Sequence, residues 1–185
     1  MSEISLHAGV SRGVAGRLHS PAVDARDLAA AAAACGFGVQ RVLIDPTADE
    51  FVSELRLAVT RVHRGDTLLI TFSGHGRNAS WCFFDRDLPL LEVCRLLVPL
   101  PPSVCVHIVA DACHSEAWSA IDVPLRAEVT VIAPAEVHAR DGKGRNTRSP
   151  FTAALIREWM VTLSVGTPPP PGARSCSGTG ARRRR

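Results

Sequence analysis

Two segments of the chain place a reactive side chain directly after an apolar run. His75 follows the apolar run 67–72 with a glycine on each side, and Cys113 follows the apolar run 104–110. A thiol beside an imidazole is suited to nucleophilic catalysis, because the imidazole can take the thiol proton and later return it to a leaving group. We therefore take Cys113 as a candidate nucleophile and His75 as a candidate general base.

Stabilisation of a developing oxyanion would come from backbone N–H groups beside these residues. A glycine lets the backbone come unusually close to a reacting carbonyl. We assign this role to the amides of Gly76 and Cys113. Each candidate also has an ordinary interpretation, because His75 could be a loop histidine and Cys113 a structural thiol.

The chain around these residues alternates between predicted strands and helices. Nearly continuous apolar runs predict buried strands, and two more mixed runs predict further strands. A Thr47 hydroxyl with Glu50 three residues later predicts a capped helix start, which presents Phe51 and Leu55 on one face. The predicted strands are 67–72, 104–110, 129–133, 4–10 and 39–44, and the other predicted helices are 22–35, 88–98 and 151–163.

This alternation favours an α/β fold with a mostly parallel central sheet covered by helices on both faces. In open α/β sheets, ligands bind outside the carboxyl ends of the strands. His75 and Cys113 both follow predicted strands at that edge. If the two strands are neighbours, the two side chains face each other across a cleft.

Composition and charge restrict the class of protein. The chain has 185 residues, 46% of them hydrophobic and 21% charged, which fits one globular domain. The net charge of +3 comes from five arginines in 166–185, so the rest of the chain is slightly acidic and no nucleic-acid partner is expected. We predict a folded domain over 1–165 and a disordered Pro-, Gly- and Arg-rich tail over 166–185.

Neither a membrane partner nor a bound metal is expected. No apolar run is long enough to span a bilayer, and the first residues lack a secretory signal, so we expect a cytoplasmic protein. The six cysteines include no C-x-x-C pair and match no zinc module, so we expect mostly free thiols and no metal site. No cofactor motif is present, and the oligomeric state is left open.

The residues around both candidates resemble the two catalytic motifs of the caspase clan, most of all metacaspases and bacterial caspase-like peptidases. Residues 73–76 read S-G-H-G and residues 111–115 read D-A-C-H-S, similar to the S-G-H-G and D-S-C-H-S-G of those families. The segment W-C-F-F-D-R at 81–86 and F-T-A-A-L at 151–155 are also similar to segments of the bacterial members. The resemblance spans about residues 4–163.

This resemblance implies a three-layer α/β/α caspase-like sandwich and a cysteine endopeptidase with a Cys113–His75 dyad. Metacaspases select arginine or lysine in an acidic pocket. The matching pocket residues here are Asp111, Asp24 and Ser73. The expected partners are therefore protein or peptide substrates with Arg or Lys at the cleaved position, and 1–165 becomes a peptidase domain.

Several positions depart from the family pattern. Ala112 replaces the serine before the nucleophile, Glu116 replaces the glycine that ends the second motif, and the bulky Trp118 follows. Pro21 replaces a cysteine near the pocket. These departures leave open a catalytically weak or silent caspase-like domain that acts as an adaptor or regulator. The acidic insertion that binds calcium in many metacaspases is missing after Gly76, so no calcium dependence is expected.

Other interpretations of the same residues remain open. Asp111 could cap a turn, and Asp24 could be an exposed helix-start residue that interacts with the helix dipole. His107 lies in the middle of a predicted strand, which is typical of a core histidine. The loop 73–76 could bind a phosphate, but no Walker-type motif supports that function.

Overall fold

The computed structural model describes residues 2–13, 16–134, 140–144 and 146–164, with side chains described for all of these except 39–40 and 161–164. A 3₁₀ helix spans Ser115–Ala120. The α-helices are α1 (Pro21–Ala34), α2 (Ala48–Arg61), α3 (Leu90–Leu97) and α4 (Pro150–Ser164). The strands are β1 (Glu3–Gly9), β2 (Arg12–Gly13), β3 (Gly16–Arg17), β4 (Gly38–Ile44), β5 (Thr67–Ser73), β6 (Gly76–Arg77), β7 (Ser80–Cys82), β8 (Asp87–Pro89), β9 (Cys105–Asp111) and β10 (Glu128–Ile132).

A five-stranded sheet with the order β10-β9-β5-β1-β4 forms the centre of the molecule, and every neighbouring pair in it is parallel. The chain winds from β1 outward to β4 and then returns to the other side of β1 to form β5. The winding direction therefore reverses between β1 and β5, and such reversal points open a crevice at the carboxyl ends of the strands.

Helices cover both faces of this sheet. Because successive side chains of a strand point to opposite faces, Leu69 and Ile70 of β5 belong to different layers. Leu69 packs in one apolar cluster with residues of α1 and α4, whereas Ile70 packs in another with residues of α2 and α3. The expected three-layer α/β/α architecture with a parallel sheet is confirmed.

The predicted strands and helices agree with the structure to within one or two residues, with one error at the start of α3. We predicted a helix from residue 88, but Leu88 and Pro89 belong to β8, where Leu88 pairs with Trp81 of β7. The predicted cap of α2 is present, because the Thr47 hydroxyl accepts a hydrogen bond from Glu50 N at 3.0 Å. The small antiparallel sheet β6-β7-β8 was not predicted, since its strands have two or three residues each.

Residues 165–185 lie outside the described part of the chain, so the disordered tail and the domain boundary at 165 stay predictions. No helix within the described residues is long and apolar enough to cross a membrane.

Candidate active site

The sheet register brings the two predicted catalytic loops together. Ser73 at the end of β5 pairs with Asp111 at the end of β9, and Gly74 N donates a hydrogen bond to the Asp111 carbonyl at 3.1 Å. His75 and Cys113 each lie two residues beyond this pair. Both residues are half-buried and line the same cleft, so the fold brings them to one site, and their pairing as a dyad stays a prediction.

Gly76 allows the two loops to make direct contact. A Cβ atom on Gly76 would overlap the carbonyl oxygen of Cys113, and it would lie 3.2 Å from the Cβ of Ala112. Any side chain at this position would push the loops apart, because backbone atoms on the opposing side cannot rotate away. The glycine thus holds the His75 segment against the Cys113 segment, which carries the other amide predicted to stabilise an oxyanion.

A short hairpin fixes the backbone that follows His75. Strands β6 and β7 are joined by Asn78 and Ala79, whose φ angles of 47° and 53° are both left-handed. Two such residues are typical of the type I′ turn, whose twist matches that of a β-hairpin. Cys82 N then donates to the His75 carbonyl at 2.9 Å. The candidate base therefore precedes a hydrogen-bonded hairpin rather than an irregular loop.

A cluster of aromatic side chains packs against the segments that carry His75 and Cys113. Phe72 stacks on Trp81 with ring centroids 4.4 Å apart, and Trp118 meets Trp81 edge-on at 5.5 Å. Phe72 belongs to β5, Trp81 to the hairpin after His75, and Trp118 to the 3₁₀ helix after Cys113. Each such aromatic pair adds roughly 0.5–1.5 kcal/mol beyond burial of its surface, so the cluster fixes one loop relative to the other.

The backbone turns sharply after the candidate nucleophile. His114 has a φ of 59°, in the left-handed region that non-glycine residues rarely adopt. The Ser115 hydroxyl stabilises this turn by donating to the carbonyls of Ala110 and Ala112 at 3.2 and 2.8 Å. The His114 ring lies 3.4 Å from the Glu116 carboxylate and is not part of the cleft lining.

Asp111 forms the acidic wall of the cleft beside Cys113. Its carboxylate is buried and accepts hydrogen bonds from the hydroxyls of Thr152, at 2.8 Å, and Ser149. Burial raises the pKa of Asp111, and the hydrogen bonds from Ser149 and Thr152 partly oppose that rise. The partners of this carboxylate are residues of α4 and its cap, so Asp111 does not simply cap a local turn.

Asp24 lies behind this wall and does not itself line the cleft. It is fully buried in α1, so the alternative of an exposed helix-start residue is wrong. Its carboxylate accepts from the Ser73 hydroxyl at 2.9 Å and from Ser149 N at 3.0 Å. Burial raises the pKa of Asp24 to about 7, with a further contribution from the nearby Asp111, although these hydrogen bonds act in the opposite direction. Ser73 connects Asp24 to the cleft.

Polar residues to which the sequence assigned no role in the pocket complete the cleft, and they come from two segments. One is the start of α1, which contributes Ser20, and the other is the chain before α4, which contributes Arg140, Asp141 and Ser149. Ser149 links the carboxylates, since its amide donates to Asp24 and its hydroxyl to Asp111. No sequence signal identifies these positions, because a Gly- and Arg-rich stretch with an Asp-Gly pair reads as an ordinary turn.

The cleft is small, with a volume of about 130 Å³. At about 10–15 Å³ for each water-sized group, it holds roughly ten heavy atoms. That number of atoms corresponds to one long side chain and is smaller than a nucleotide.

Three of the four departures from the family pattern lie outside this cleft. Ala112 is 1% exposed and packs in the core, and Trp118 is buried against Trp81. Glu116 is an exposed partner of His114. Pro21 does line the cleft, as the first residue of α1. Three of the four departures therefore leave the cleft wall unchanged.

His107 is a core residue of β9 and not part of the cleft, as expected. Its pKa is lowered by burial. Within the described residues, no three or more His, Cys, Asp or Glu side chains are grouped closely enough to hold a metal ion.

Comparison with known proteins agrees with this architecture. The family model described as the caspase domain matches residues 9–164. Among solved structures, protein GSU0716 from Geobacter sulfurreducens is similar with a TM-score of 0.72 and 23% identity, over 88% of this chain and 83% of that one. Caspase-1 from Spodoptera frugiperda is similar with a TM-score of 0.63 and 15% identity, over 86% of this chain and 70% of that one. No curated protein sequence matches the chain.

Proposed function

Because this chain belongs to the caspase domain family, we propose that it is a cysteine endopeptidase that cleaves peptide bonds after arginine or lysine with a Cys113–His75 dyad. One observation carries this proposal: a thiol, an imidazole and a buried carboxylate, those of Cys113, His75 and Asp111, line one cleft of side-chain size. We place the enzyme in the cytoplasm, where reducing conditions keep a catalytic thiol reduced.

In this proposal, His75 takes the proton from the Cys113 thiol, and the thiolate attacks the carbonyl carbon of the scissile bond. The negative charge on the carbonyl oxygen is stabilised by the amides of Gly76 and Cys113. The close contact of Gly76 with the Cys113 carbonyl supports this assignment, because it keeps the two segments together.

The tetrahedral intermediate then collapses as His75 donates the proton to the leaving amine. The product is an acyl-enzyme with a thioester bond to Cys113. Water, deprotonated by His75, attacks the thioester and releases the carboxylic acid product with the regenerated thiol. The dyad ends the cycle in the protonation state in which it began.

Specificity for a basic residue is assigned to Asp111, supported by Asp24 and Ser73. A guanidinium forms two parallel hydrogen bonds with a carboxylate, which an ammonium cannot do, so arginine should be preferred over lysine. An aspartate substrate would bring a second negative charge to a buried carboxylate. Breaking a buried charge pair costs roughly 3–5 kcal/mol, which is on the order of a hundredfold or more in transition-state binding.

A silent adaptor is less well supported by the same observations. Its motivation was the substitution of family residues at Ala112 and Glu116, together with the bulk of Trp118. Ala112 and Trp118 pack in the core, and Glu116 points to solvent. None of the three obstructs the cleft.

The test is kcat/KM on matched fluorogenic peptides that end in Arg, Lys, Leu or Asp. We expect the order Arg, Lys and then the other two, and we expect Cys113→Ala and His75→Ala each to abolish cleavage. Cys35→Ala is a matched control, since Cys35 is also a half-buried thiol but lies at the end of α1. His114→Ala controls for the neighbouring imidazole, and both controls should keep substantial activity.

Two outcomes would contradict the proposal. Full activity in purified Cys113→Ala would exclude the nucleophile. Preferred cleavage of the Asp-ended peptide would show that the pocket is not acidic in function, while leaving the dyad intact.

A further inference from the structure

Asp141 is an acidic residue of the cleft that neither the motifs nor the family resemblance assigned. It lies in the segment before α4, is half-buried, and lines the cleft together with Asp111. Its charge reaches Asp111, since Asp141 is one of the groups that raise the pKa of the Asp111 carboxyl. The two carboxylates therefore act on the same small space.

The hydrogen bonds of Asp141 are distributed unevenly between its two oxygens. Oδ1 accepts from Ser20 N at 2.9 Å, from the Ser20 hydroxyl at 2.7 Å and from Gly142 N at 2.9 Å, with a longer contact to His19 N at 3.1 Å. Within the described residues, Oδ2 accepts only from His19 N, at 2.9 Å. A carboxylate offers about four acceptor positions, so Oδ1 is saturated while Oδ2 can accept a further donor.

These donors also keep Asp141 negatively charged. Although burial raises its pKa, the hydrogen bonds from His19, Ser20 and Gly142 outweigh that effect and leave the pKa below its usual value. The opposite holds for Asp24 and Asp111, whose pKa values are raised. The pKa shift of Asp141 is therefore opposite in direction to the shifts of Asp24 and Asp111, and it favours the charged carboxylate.

We propose that Asp141 is a third specificity carboxylate, which binds the guanidinium of a substrate arginine through Oδ2 opposite the contact made by Asp111. This inference rests on the proposed function for its substrate. A guanidinium carries five N–H donors in one plane, so it can be bound by two carboxylates at once, whereas the compact ammonium of lysine cannot span them equally well. Asp141 therefore adds discrimination for arginine over lysine.

The neighbouring Arg140 carries the opposite charge and also lines the cleft. Its side chain is exposed at the mouth, whereas Asp141 is half-buried. Solvent and salt screen an exposed charge far more than a buried one. The Asp141 carboxylate is therefore screened less than the Arg140 guanidinium.

Asp141→Asn tests the proposal, because asparagine keeps the shape and one acceptor oxygen for the His19 and Ser20 amides while removing the charge. The first measurement is the affinity of benzamidine, a small guanidinium-like cation, by calorimetry. Charge-assisted hydrogen bonds of this kind correspond to about a tenfold to hundredfold change in affinity, so Asp141→Asn should bind benzamidine that much more weakly. Asp122→Asn makes the same charge change at an exposed site away from the cleft and should bind as the wild type does.

The second measurement is the ratio of kcat/KM for an arginine peptide to that for the matched citrulline peptide, which has the same shape without the charge. If Asp141 binds the charge, the ratio falls about tenfold or more in Asp141→Asn. An equal loss on both peptides would mean that Asp141 only positions the loop, and this would overturn the inference. Unchanged benzamidine affinity would overturn it as well.

These outcomes separate the inference from the function on which it rests. Benzamidine binding that depends on Asp141 in a protein that cleaves nothing would support the inference and refute the peptidase. Cleavage after arginine that is unaffected by Asp141→Asn would support the peptidase and refute the role of Asp141.

Discussion

Replacement of Asp24 by asparagine should remove a pH dependence that belongs to substrate selection rather than to the dyad. Burial raises the pKa of Asp24 to about 7, so this carboxyl changes charge within the range in which the enzyme is assayed. Asp24 is connected to the cleft through residues that line it, since the Ser73 hydroxyl donates to its carboxylate at 2.9 Å and Ser149 N does so at 3.0 Å. In the proposed pocket, its charge adds to the attraction for a basic side chain without contacting that side chain.

The size of the effect follows from the charge and its place in the fold. One side chain separates the Asp24 carboxylate from a bound guanidinium, which corresponds to roughly 7 Å between the two charges. With an effective dielectric constant of about 20, their attraction is about 2 kcal/mol, or on the order of thirtyfold in binding. The ionised fraction of a group with a pKa of about 7 falls from roughly nine-tenths at pH 8 to roughly one-tenth at pH 6. Preference for arginine should therefore fall by about sevenfold over those two pH units.

The assay is kcat/KM for arginine and citrulline peptides between pH 5.5 and about 8.5, expressed as their ratio, since kcat/KM reports the ionisation of the free enzyme. The chemical step at Cys113 and His75 is common to both peptides, so changes in its rate cancel in the ratio. The wild-type ratio should rise with pH through about 7. Asp24→Asn should lose this rise and keep only the pH dependence that belongs to Asp111, whose pKa is also raised by burial. A ratio that rises with pH in Asp24→Asn as it does in the wild type would refute this role for Asp24.

Three further predictions concern the rest of the chain. Ala79→Gly should raise the free energy of unfolding by about 0.5–1 kcal/mol, because glycine adopts the left-handed φ of this turn without strain. Urea denaturation measures this free energy, and an unchanged value would contradict a strained turn at Ala79. If the chain is the proposed peptidase, it should cut itself at the exposed Arg126 or within 140–148. Intact masses after long incubation should then differ from those of Cys113→Ala, and identical masses would count against self-processing. Burial lowers the pKa of His7 from 6.5 to about 4, so His7 contributes stability that is present above pH 6.5 and lost as pH falls through 4. His7→Leu should remove up to about 3 kcal/mol of that pH dependence, and an unchanged pH profile of unfolding would show that His7 does not titrate in this way.

The parts of the site that could be predicted from sequence are those carried by a single strand and its following loop. The apolar runs before His75 and Cys113 identify their strands, and parallel strands bring their carboxyl ends to one edge. The meeting of the two residues needed only the further fact that β5 and β9 are neighbours.

The parts that could not be predicted depend on contacts between distant segments. Asp141 is hydrogen-bonded to Ser20, and Ser149 is hydrogen-bonded to both Asp24 and Asp111. Such contacts produce no periodic pattern in the sequence. A polar residue in a turn gives the same sequence signal whether its side chain faces solvent or a buried carboxylate. The full burial of Asp24 was missed for the same reason: its partners all lie outside its own helix turn or at its cap.

The most direct test of the central claim is to map the cysteine that reacts with an arginine-ended peptide electrophile, such as an acyloxymethyl ketone, by mass spectrometry of the digested protein. The account predicts a single label on Cys113, blocked by an excess of arginine substrate, and greatly slowed in His75→Ala and in Asp111→Ala. The arginine-ended reagent should label Cys113 much faster than the matched leucine-ended reagent does. Labelling of another cysteine, or equal rates with the arginine and leucine reagents, would contradict a Cys113 nucleophile beside an acidic pocket.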